Sequence, residues 1–388
     1  MPSIRFHGFD DAWEQRKLSD LAIFNPKAEL PEVFEYVDLE SVVGTEMLSH
    51  RTESKRTAPS RAQRLAQTGD LFYQTVRPYQ KNNYLFEKPD KHYVFSTGYA
   101  QMRPVVDGRF LLCLVQNDSF VKVVLDNCTG TSYPAINSND LAQIEVRSPG
   151  DPQEQKLIGD FFKGIDDLIT LHQRKLEKLT NVKKSMLEKM FPKDGADVPE
   201  VRFKGFTNPW EQRKFGEVFM SLQNNTLSRA ELNDEFGAAQ NIHYGDVLIK
   251  YDEILDVSKE PLSYIEKQSI ADKFKTSYLQ NGDVIIADTA EDETVGKCTE
   301  IEGLTDQKVI SGLHTMPVRP NRKFASGFLG FYLNSAAYHD QLKPLMQGIK
   351  VTSISKGAMQ DTLVKFPLNL KEQEQIGIYF GGLDHLIT

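Results

Sequence analysis

The sequence has little cysteine, no long apolar run and no excess of positive charge. Its 388 residues include 3 cysteines, odd in number, far apart and without a C-x-x-C pair, which is typical of a reducing cytoplasm. The longest apolar runs, such as Phe110 to Val115, are far shorter than the ~20 residues of a membrane-spanning helix. The N-terminus has no signal pattern. We therefore expect a soluble cytoplasmic protein with no membrane partner.

The net charge of −8 argues against a protein that coats nucleic acid by bulk charge, although a local basic face is compatible with it. A chain of 388 residues is too long for one ordinary core. The length favours two globular units of about 150 residues each, plus connecting segments.

The most informative feature is an internal repeat. Arg5 to Leu18 reads RFHGFDDAWEQRKL, and Arg202 to Phe215 reads RFKGFTNPWEQRKF. A second pair of matching segments is EQKLIGDFFKGIDDLIT at Glu154–Thr170 and EQEQIGIYFGGLDHLIT at Glu372–Thr388. Each half of the chain therefore consists of a short repeated segment, which we call the tag, then a variable segment, which we call the body, and finally a helix.

The stretch from Pro152 to Phe191 predicts a long helix of roughly 60 Å, because its apolar residues recur at alternating steps of four and three. The interruptions are His172 and Lys183, and we interpret His172 as a packed polar residue that fixes the register. The second copy begins the same heptad pattern, so we expect the two helices to pair, antiparallel if a pseudo-twofold axis relates the halves. The predicted seam residues are Ile158, Phe162, Ile165, Ile169, Leu176, Leu179, Met186, Ile376, Phe380, Leu383 and Ile387.

The variable bodies share an order of elements. Strands are predicted at Asp70–Val76 and Asp283–Asp288, each after a glycine, and both bodies end in a short strand and a proline before the helix. This predicts an α+β fold of two β-rich mixed domains separated by long helices in an antiparallel coiled coil, with a pseudo-twofold repeat. The predicted segments are a first domain at 1–150, a central helix at 151–191, a linker at 192–200, a second domain at 201–370 and a second helix at 371–388.

Fragments that resemble catalytic motifs are weak. Asn208-Pro209-Trp210 is near the Asn-Pro-Pro-aromatic loop of adenine methyltransferases, but the matching positions in the first copy are Asp11-Ala12-Trp13, so we interpret Asn-Pro as local turn chemistry. No glycine-rich loop that would cradle a cofactor is evident. We expect no cofactor site in this chain.

Two sets of acidic residues are candidates for holding a metal ion. Asp38 with Glu53-x-Lys55 mimics the core of a metal-dependent nuclease, but Glu53 and Lys55 lie in a polar run that predicts no strand, so a solvated basic loop is the favoured interpretation. The acidic cluster that begins at Asp288 matches no known calcium loop. No histidine is paired with a cysteine or another histidine at metal-ligand spacing.

The remaining signal is nucleic-acid recognition, against the alternative of ordinary exposed loops. The segment from His50 to Arg64 is rich in arginine and lysine, which suit phosphates and guanine edges, and the asparagines that follow suit adenine edges. The predicted DNA-binding residues are Arg51, Lys55, Arg56, Arg61, Arg64, Arg77, Lys81 and Asn82 in the first body and Lys250, Arg319, Lys350, Thr352, Ser353 and Lys356 in the second.

On its duplicated Arg-Phe-x-Gly-Phe-x-x-x-Trp-Glu-Gln-Arg-Lys tag and duplicated helix, the chain resembles the specificity subunit of a Type I restriction-modification system. The resemblance implies two target-recognition domains, each reading one half of a split site in double-stranded DNA. It also implies helices that space the domains and dock two modification subunits. Half-sites on one face of DNA are expected about one helical turn, roughly 34 Å, apart.

The same resemblance implies a non-catalytic subunit. Methyl transfer from S-adenosylmethionine then belongs to the modification subunits, and ATP- and Mg-dependent translocation and cleavage belong to restriction subunits. The alternatives are a recognition arm with metal-dependent nuclease or methyltransferase activity of its own, and a coiled-coil dimerisation protein without a nucleic-acid role.

The two helices differ in length. The first continues from Leu171 to Phe191 beyond the shared threonine, whereas the second copy stops at Thr388, either as a shortened chain or as a natural short form. We expect a coiled coil that is shorter or partly unpaired, with Leu176, Leu179 and Met186 exposed.

Overall fold

The computed structural model describes residues 4–89, 92–130, 132–193, 195–348 and 350–388. It divides into two compact units, which we call unit 1 (Met1–His172) and unit 2 (Gln173–Thr388). Within the described residues, no helix is both long enough and apolar enough to cross a membrane.

Unit 1 alternates short strands with helices and contains the first part of the long helix. Its strands are β1 (Glu14–Lys17), β2 (Ala22–Phe24), β3 (Val33–Val37), β4 (Val42–Val43), β5 (Glu46–Met47), β6 (Arg51–Ser54), β7 (Ala62–Leu65), β8 (Leu71–Gln74), β9 (Tyr84–Leu85), β10 (Tyr93–Ser96), β11 (Tyr99–Pro104) and β12 (Glu145–Ser148). Its helices are α1 (Leu18–Leu21), α2 (Gly108–Gln116), α3 (Asp118–Asp126), α4 (Ser138–Gln143) and α5 (Pro152–Lys189), of which α5 continues into unit 2.

Two four-stranded sheets form the centre of unit 1. One has the order β6-β3-β10-β7 and the other the order β2-β11-β8-β9. The faces between them are filled by aromatic residues, among them Phe72 and Phe95, whose rings stack with centroids 3.6 Å apart. Strand β1 pairs antiparallel with β12, with Glu14 opposite Ser148, so the tag is joined to the strand that precedes α5.

Unit 2 repeats this order of elements with a larger central sheet. Its strands are β13 (Glu211–Lys214), β14 (Phe219–Ser221), β15 (Ala239–Ile242), β16 (Ile254–Asp256), β17 (Ser263–Ile265), β18 (Val284–Ala287), β19 (Thr289–Ala290), β20 (Cys298–Glu302), β21 (Val309–Ser311), β22 (Thr315–Pro320), β23 (Thr352–Ser353) and β24 (Leu363–Phe366). Its helices are α6 (Phe215–Val218), α7 (Tyr244–Ile249), α8 (Gln268–Ala271), α9 (Phe328–Asn334), α10 (Ala336–His339), α11 (Lys356–Gln360) and α12 (Leu370–Ile387).

The main sheet of unit 2 has the order β14-β22-β18-β20-β16, and a three-stranded sheet has the order β17-β15-β21. Strands β13 and β24 pair antiparallel, as β1 and β12 do in unit 1. The predicted strands after Gly69 and Gly282 are confirmed as β8 and β18. The short strand and proline predicted before each helix are confirmed as well, as β12 with Pro149 and β24 with Pro367.

The prediction that Glu53 and Lys55 lie in a run without a strand is wrong for Glu53. Strand β6 contains Glu53, and β6 and β7 are the two edges of their sheet. Edge strands tolerate charged side chains because one side of the strand is unpaired and faces water. A polar edge strand therefore resembles a loop in its composition, which explains why the sequence predicted no strand here.

The long helix α5 is confirmed and ends at Lys189, two residues before Phe191. The residue before a proline disfavours helical backbone, and Pro192 follows Phe191. The interpretation of His172 as a packed residue is wrong, since its side chain is exposed. Of the two predicted interruptions of the heptad pattern, Lys183 is the one whose side chain is held by partners.

Candidate nucleic-acid interface

Each tag is anchored to the start of its helix by one buried glutamate. In unit 1, Arg5 donates from Nε to Glu154 Oε1 at 2.5 Å and from Nη2 to Glu154 Oε2 at 2.8 Å. Trp13 Nε1 donates to Glu154 Oε1 at 3.3 Å. The bond from Arg5 lowers the pKa of Glu154, burial opposes this, and the bond from Trp13 adds to the lowering. The glutamate thereby joins the tag to the helix.

The same arrangement recurs in unit 2. Arg202 donates to Glu372 at 2.6 and 2.9 Å, and Trp210 Nε1 donates at 3.2 Å. The carbonyl of Asn208 accepts a further bond from Arg202 at 2.7 Å. Asn208 and Trp210 thus stabilise the fold, in agreement with the interpretation of Asn-Pro as a local turn.

Glutamines next to these glutamates fix the helices on their bodies. Gln155 Nε2 donates to the Pro149 carbonyl at 2.8 Å, and its Oε1 accepts from the Asp107 amide at 3.4 Å. Gln373 does the same with the Pro367 carbonyl at 2.7 Å and the Ala325 amide at 2.9 Å. These bonds define which residues of the two units are equivalent, with Asp107 in the place of Ala325.

One predicted DNA-binding residue belongs to a second repeated ion pair. Arg319 contacts both carboxylate oxygens of Asp283, at 2.8 and 2.7 Å, and also donates to the Tyr278 carbonyl at 2.9 Å. Its counterpart Arg103 contacts Asp70 at 2.8 and 3.0 Å. The bond with Asp283 raises the pKa of Arg319 against the effect of burial. The guanidinium of Arg319 is therefore held by its own unit.

In unit 1, a loop and a hairpin lie beside each other after strand β8. The loop contains Arg77 and Lys81, whose positive φ angles of 54° and 56° place both in the left-handed region. The hairpin pairs Thr129 with Ala135, and Ala135 also bridges to Val76. Arg77 lies over the Tyr133 ring of the hairpin at 4.3 Å from its centroid. The two segments form one surface, which we call the unit 1 tip (residues 75–83, 129–130 and 132–136).

Side-chain amides hold the shape of this tip. Gln74 Nε2 donates to Gln80 Oε1 at 2.8 Å, and the Gln74 amide donates to Asn83 Oδ1 at 2.8 Å. Asn82 Oδ1 accepts from the Gly44 amide at 2.9 Å. Lys81 forms an ion pair with Asp118. Of the residues predicted to bind DNA, Asn82 and Lys81 therefore have partners within unit 1.

The turn before β7 is joined to the tip through the turn between β10 and β11. The Arg61 carbonyl accepts from the Thr97 amide at 2.8 Å, and the Gly98 carbonyl accepts from the Thr75 amide at 2.9 Å. Arg61, Lys55 and Arg56 are exposed, and none of the three forms an ion pair with another described residue. The structure thus connects Arg61 to the segment that carries Arg77.

Two other arginines of the first body are less available, because Arg51 has partners inside unit 1 and Arg64 is partly buried. Arg51 contacts Asp38 at 2.7 Å and Glu53 at 2.9 Å. Burial raises the pKa of Asp38, but the bonds from Arg51, Ser41 and the Glu40 amide, with the positive charge of Arg51, together outweigh it and the pKa is lowered. The side chain of Arg64 is half-buried, and burial lowers its pKa. Asp38 and Glu53 are thus bridged by an arginine rather than arranged around an open cation site.

Unit 2 has an equivalent tip (residues 288–296, 347–348 and 350–355). Gln347 pairs with Ser353 as Thr129 pairs with Ala135, and strand β19 pairs with β23 through Thr289 and Ser353. Thr352 is half-buried, whereas Ser353, Lys350 and Lys356 are exposed. The two lysines form no ion pair with a described residue. Lys250 differs from them, since its Nζ donates to the Pro261 carbonyl at 2.9 Å.

The acidic cluster of unit 2 has its own hydrogen bonds. Asp288 accepts from Thr289 Oγ1 at 2.7 Å, and the Asp292 carboxylate accepts from the Thr294 amide at 2.9 Å. Across the described ranges, no three histidine, cysteine, aspartate or glutamate side chains come together in a group that could hold a metal ion.

The prediction of DNA-binding residues from charge did not include Tyr133. This side chain is 64% exposed on the unit 1 tip and stacks with Arg77. Exposed aromatic rings beside arginine provide a surface for bases and sugars as well as for phosphates. The sequence signal is its position after Gly130, whose φ is 85° and which begins the hairpin.

The predicted seam residues fall into two groups. In unit 2, Ile376, Phe380 and Leu383 are buried in the core, where Phe380 stacks on Phe191 with centroids 5.8 Å apart. The expectation that Leu179 and Met186 are exposed is wrong, because both pack partly buried against this core. Leu176 is exposed as predicted, at 44%. Ile387 and Ile158 are half-buried.

In unit 2, the C-terminal part of α5 and helix α12 run antiparallel. Lys183 of α5 contacts Asp384, whereas Phe191, two residues beyond the end of α5, contacts Phe380, which comes earlier in α12. In unit 1, the seam residues Phe162, Ile165 and Ile169 are 47%, 37% and 49% exposed.

Comparison with known proteins identifies similar sequences. Residues 57–181 match the family of the Type I restriction modification DNA specificity domain. A curated relative is the Type I restriction enzyme MjaVIII specificity subunit of Methanocaldococcus jannaschii, which is 23% identical over 298 residues. The match covers 74% of this chain and 66% of that protein, slightly less than two thirds of its length.

Two solved structures have a similar fold. One is the Type-I restriction-modification system S subunit from M. genitalium, with a TM-score of 0.55, 13% identity, and coverage of 98% of this chain and 91% of that chain. The other comes from work on complex assembly and conformational transition of the type I R-M system, with a TM-score of 0.53, 20% identity, and coverage of 98% and 92%. The predicted α+β fold class is confirmed.

Proposed function

We propose, from the match of residues 57–181 to the family of the Type I restriction modification DNA specificity domain, that this chain is the DNA-recognition subunit of such a system. Units 1 and 2 each read one half of a bipartite site in double-stranded DNA. The observation that carries the proposal is the repetition of one scaffold with two different tips. The hydrogen bonds from an arginine and a tryptophan to a buried glutamate are the same in both units, whereas the exposed side chains of the tips differ.

Repetition with variation suits the reading of an asymmetric sequence. Arginine and lysine at the tips supply phosphate contacts, and hydroxyl, amide and aromatic groups beside them supply contacts to base edges. Within unit 1 the side chains best placed for DNA are Arg56, Arg61, Arg77 and Tyr133. Within unit 2 they are Lys350, Ser353 and Lys356. Arg51, Lys250 and Arg319 have partners in their own units, so their substitution would disturb the fold as well as binding.

Catalysis belongs to partner subunits in this proposal. The helices dock two modification subunits, which bind S-adenosylmethionine, and restriction subunits supply the ATP- and Mg-dependent steps. The bridging of Asp38 and Glu53 by Arg51 supports a structural role for these carboxylates. The purified chain is expected to cut no DNA in the presence of Mg²⁺. Metal-dependent cutting that is lost in Glu53→Ala would replace the proposal with a nuclease function.

The deciding experiment is methylation mapping. Single-molecule sequencing of DNA from a strain that carries this chain with its modification subunits is expected to reveal one split methylated motif. The motif should disappear when the chain is deleted and return when it is restored. A methylome without any motif that depends on this chain would overturn the proposal.

A second measurement addresses the tips directly. Lys350→Ala and Lys356→Ala, in the chain assembled with its modification subunits, are each expected to weaken DNA binding and to lower the salt slope by about one. The control is Lys371→Ala, an exposed lysine at the start of α12. Equal effects of all three substitutions would assign no special role to the unit 2 tip.

A further inference from the structure

One position beside the tips has the same backbone contacts in both units but a different residue. In unit 1 the Thr75 amide donates to the Gly98 carbonyl at 2.9 Å, and in unit 2 the Asp288 amide donates to the His314 carbonyl at 3.1 Å. The residues that follow Gly98 and His314 begin strands β11 and β22, which pair with β8 and β18 in the same register. His314 therefore occupies the position of Gly98 and contacts the first residue of the unit 2 tip.

The two units use this position differently. A Cβ atom at Gly98 would lie 2.8 Å from Leu39 Cδ1, so unit 1 has no room for a side chain there unless Leu39 moves. In unit 2 the position carries a histidine in the left-handed region, with a φ of 54°. This backbone costs energy for a residue with a Cβ atom, and glycine would avoid the cost. The imidazole is present in spite of this cost, which indicates a role for the side chain itself.

Three side chains of unit 2 orient the imidazole ring of His314. Its Nδ1 lies 3.4 Å from Thr289 Oγ1 and 3.4 Å from Asp288 Oδ1. The Tyr244 ring packs against it edge to face, with centroids 5.2 Å apart. The side chain of His314 is nevertheless 47% exposed, and its Nε2 forms no hydrogen bond with a described residue. The ring is thus held at one nitrogen, and the other nitrogen is left without a partner in the described part of unit 2.

The hydrogen bonds of Thr289 decide which ring nitrogen carries the hydrogen of the neutral imidazole. Thr289 Oγ1 lies 2.7 Å from Asp288 Oδ1, and because a carboxylate can only accept, the threonine hydroxyl donates to it. The hydroxyl has a single hydrogen, so its oxygen can act towards His314 only as an acceptor. Nδ1 therefore carries the ring hydrogen, and Nε2 of the neutral ring is an acceptor.

A hydrogen-bond acceptor beside the tip distinguishes bases that carry an amino group. In the major groove adenine presents its N6 amino group and cytosine its N4 amino group, whereas guanine O6 and thymine O4 are acceptors. An imidazole acceptor forms a bond with the first two bases and opposes a lone pair of the other two. The exposed lysines of unit 2, Lys350 and Lys356, only donate, so they do not provide this preference.

We propose that His314 is a specificity-determining residue of unit 2, whose Nε2 accepts a hydrogen bond from the exocyclic amino group of an adenine or a cytosine. Thr289 and Asp288 are positioning residues, because they hold the ring and place its hydrogen on Nδ1. The inference rests on the proposed function and adds to it one residue and the chemistry of one base. Since Gly98 stands at the equivalent position, unit 1 reads its half-site without this contact.

The test measures base preference at each position of the half-site that unit 2 reads, using the full chain assembled with its modification subunits. Once methylation mapping has given the motif, binding is titrated against duplexes in which one base pair at a time is replaced. We expect a position at which guanine or thymine in place of adenine or cytosine weakens binding about tenfold. His314→Gly should lose the preference at that position alone. Glycine adopts a φ of 54° readily, so the melting temperature of this variant should be no lower than that of the unmodified chain.

A second variant tests the positioning of the ring without removing it. Thr289→Val removes the acceptor for Nδ1 and should reduce the same preference, with the preferences at all other positions unchanged. The control is His7→Ala, because His7 is exposed in the tag of unit 1, and it should leave every preference as it is.

The outcomes separate this inference from the proposed function. An equal loss of affinity for every duplex in His314→Gly would indicate a phosphate contact, and loss of a preference for guanine or thymine would indicate the opposite hydrogen-bond polarity. Either result, or base preferences equal to those of the unmodified chain, would overturn the role of His314 and leave the proposed function intact. A methylome without any motif that depends on this chain would overturn both.

Discussion

Two buried glutamates, Glu154 and Glu372, explain why the same tag occurs twice. Each accepts bonds from one arginine and one tryptophan that lie more than 140 positions away in the sequence. A buried carboxylate without such donors would destabilise the folded state, because the cost of removing it from water would not be compensated. The tag therefore has a structural role that is independent of any ligand.

Glu372→Gln is expected to lower the free energy of unfolding of unit 2 by about 1.5–3 kcal/mol, since it weakens charge-assisted bonds to Arg202 and Trp210. Chemical denaturation can be followed through Trp210 fluorescence in a Trp13→Phe background, because the chain has only these two tryptophans. Glu374→Gln is the matched control, as Glu374 is exposed on the same helix. Equal stability of the two variants would contradict the role assigned to Glu372.

Glu300 makes the stability of unit 2 dependent on pH. Burial raises the pKa of Glu300 to about 7, against the effect of amides of Gly327 and Gly330 that donate to it. The folded state therefore holds a proton that the unfolded state loses above about pH 4.5. The stabilisation is full below about pH 4.5 and is lost as the pH rises through about 7, a change of about 3 kcal/mol at most.

Thermal unfolding of unit 2 between pH 5 and pH 8 is expected to show a melting temperature that decreases with pH. Glu300→Gln removes the titrating group, so the decrease should become smaller whatever the variant's absolute stability. Glu374→Gln, in which the substituted side chain is exposed and is not among the groups that shift the pKa of Glu300, should keep the original slope. An unchanged slope in Glu300→Gln would show that other groups cause the dependence.

Among the larger parts of the fold, the two hairpins at the tips depend on backbone that only glycine adopts readily. Gly348 has a φ of 114°, and a Cβ atom there would lie 2.0 Å from the Val351 carbonyl oxygen. In unit 1, Gly130 has a φ of 85° and a corresponding distance of 3.0 Å to the Tyr133 carbonyl oxygen. Each hairpin therefore has a glycine at its first bend, while its exposed residues differ.

Gly348→Ala is expected to distort the unit 2 hairpin and to lower affinity for the methylated motif, at a cost of about 1–3 kcal/mol in the left-handed backbone. The measurement is an equilibrium titration of the assembled complex with its target DNA. Gly357→Ala is the control, because only Ser355 Oγ lies near a Cβ atom at that position, at 4.0 Å. An unchanged DNA affinity of the Gly348→Ala variant would show that this hairpin takes no part in DNA recognition.

For the chain taken together, the repeat predicts that recognition is modular. The tags and helices are similar in both halves, and the bodies between them differ, so each body should carry its own half of the target. The bonds from the tag to Glu154 lie within unit 1, and those to Glu372 lie within unit 2. A body that is exchanged together with its tag can therefore be anchored to its helix in the same way.

Exchange of residues 5–150 for the corresponding body of another specificity subunit is expected to change one half of the methylated motif and to leave the other half intact. Methylation mapping of the recipient strain reads out both halves in one experiment. The reciprocal exchange of residues 202–370 is the control and should change the opposite half. A motif altered in both halves by a single exchange would contradict independent reading.

The repeat, the long helix, the strands after Gly69 and Gly282 and the fold class can all be predicted from the sequence alone, because they follow from local periodicity and from the similarity of segments within one chain. Which charged side chains remain available depends on the folded structure. Arg319 is held by Asp283, and Lys183 by Asp384 and Glu253, partners that lie far away along the chain. Likewise, Phe162 and Phe380 are equivalent in sequence, but only Phe380 is covered. The physical reason is that burial and ion pairing depend on which elements approach one another, and a local pattern of residues does not contain that information.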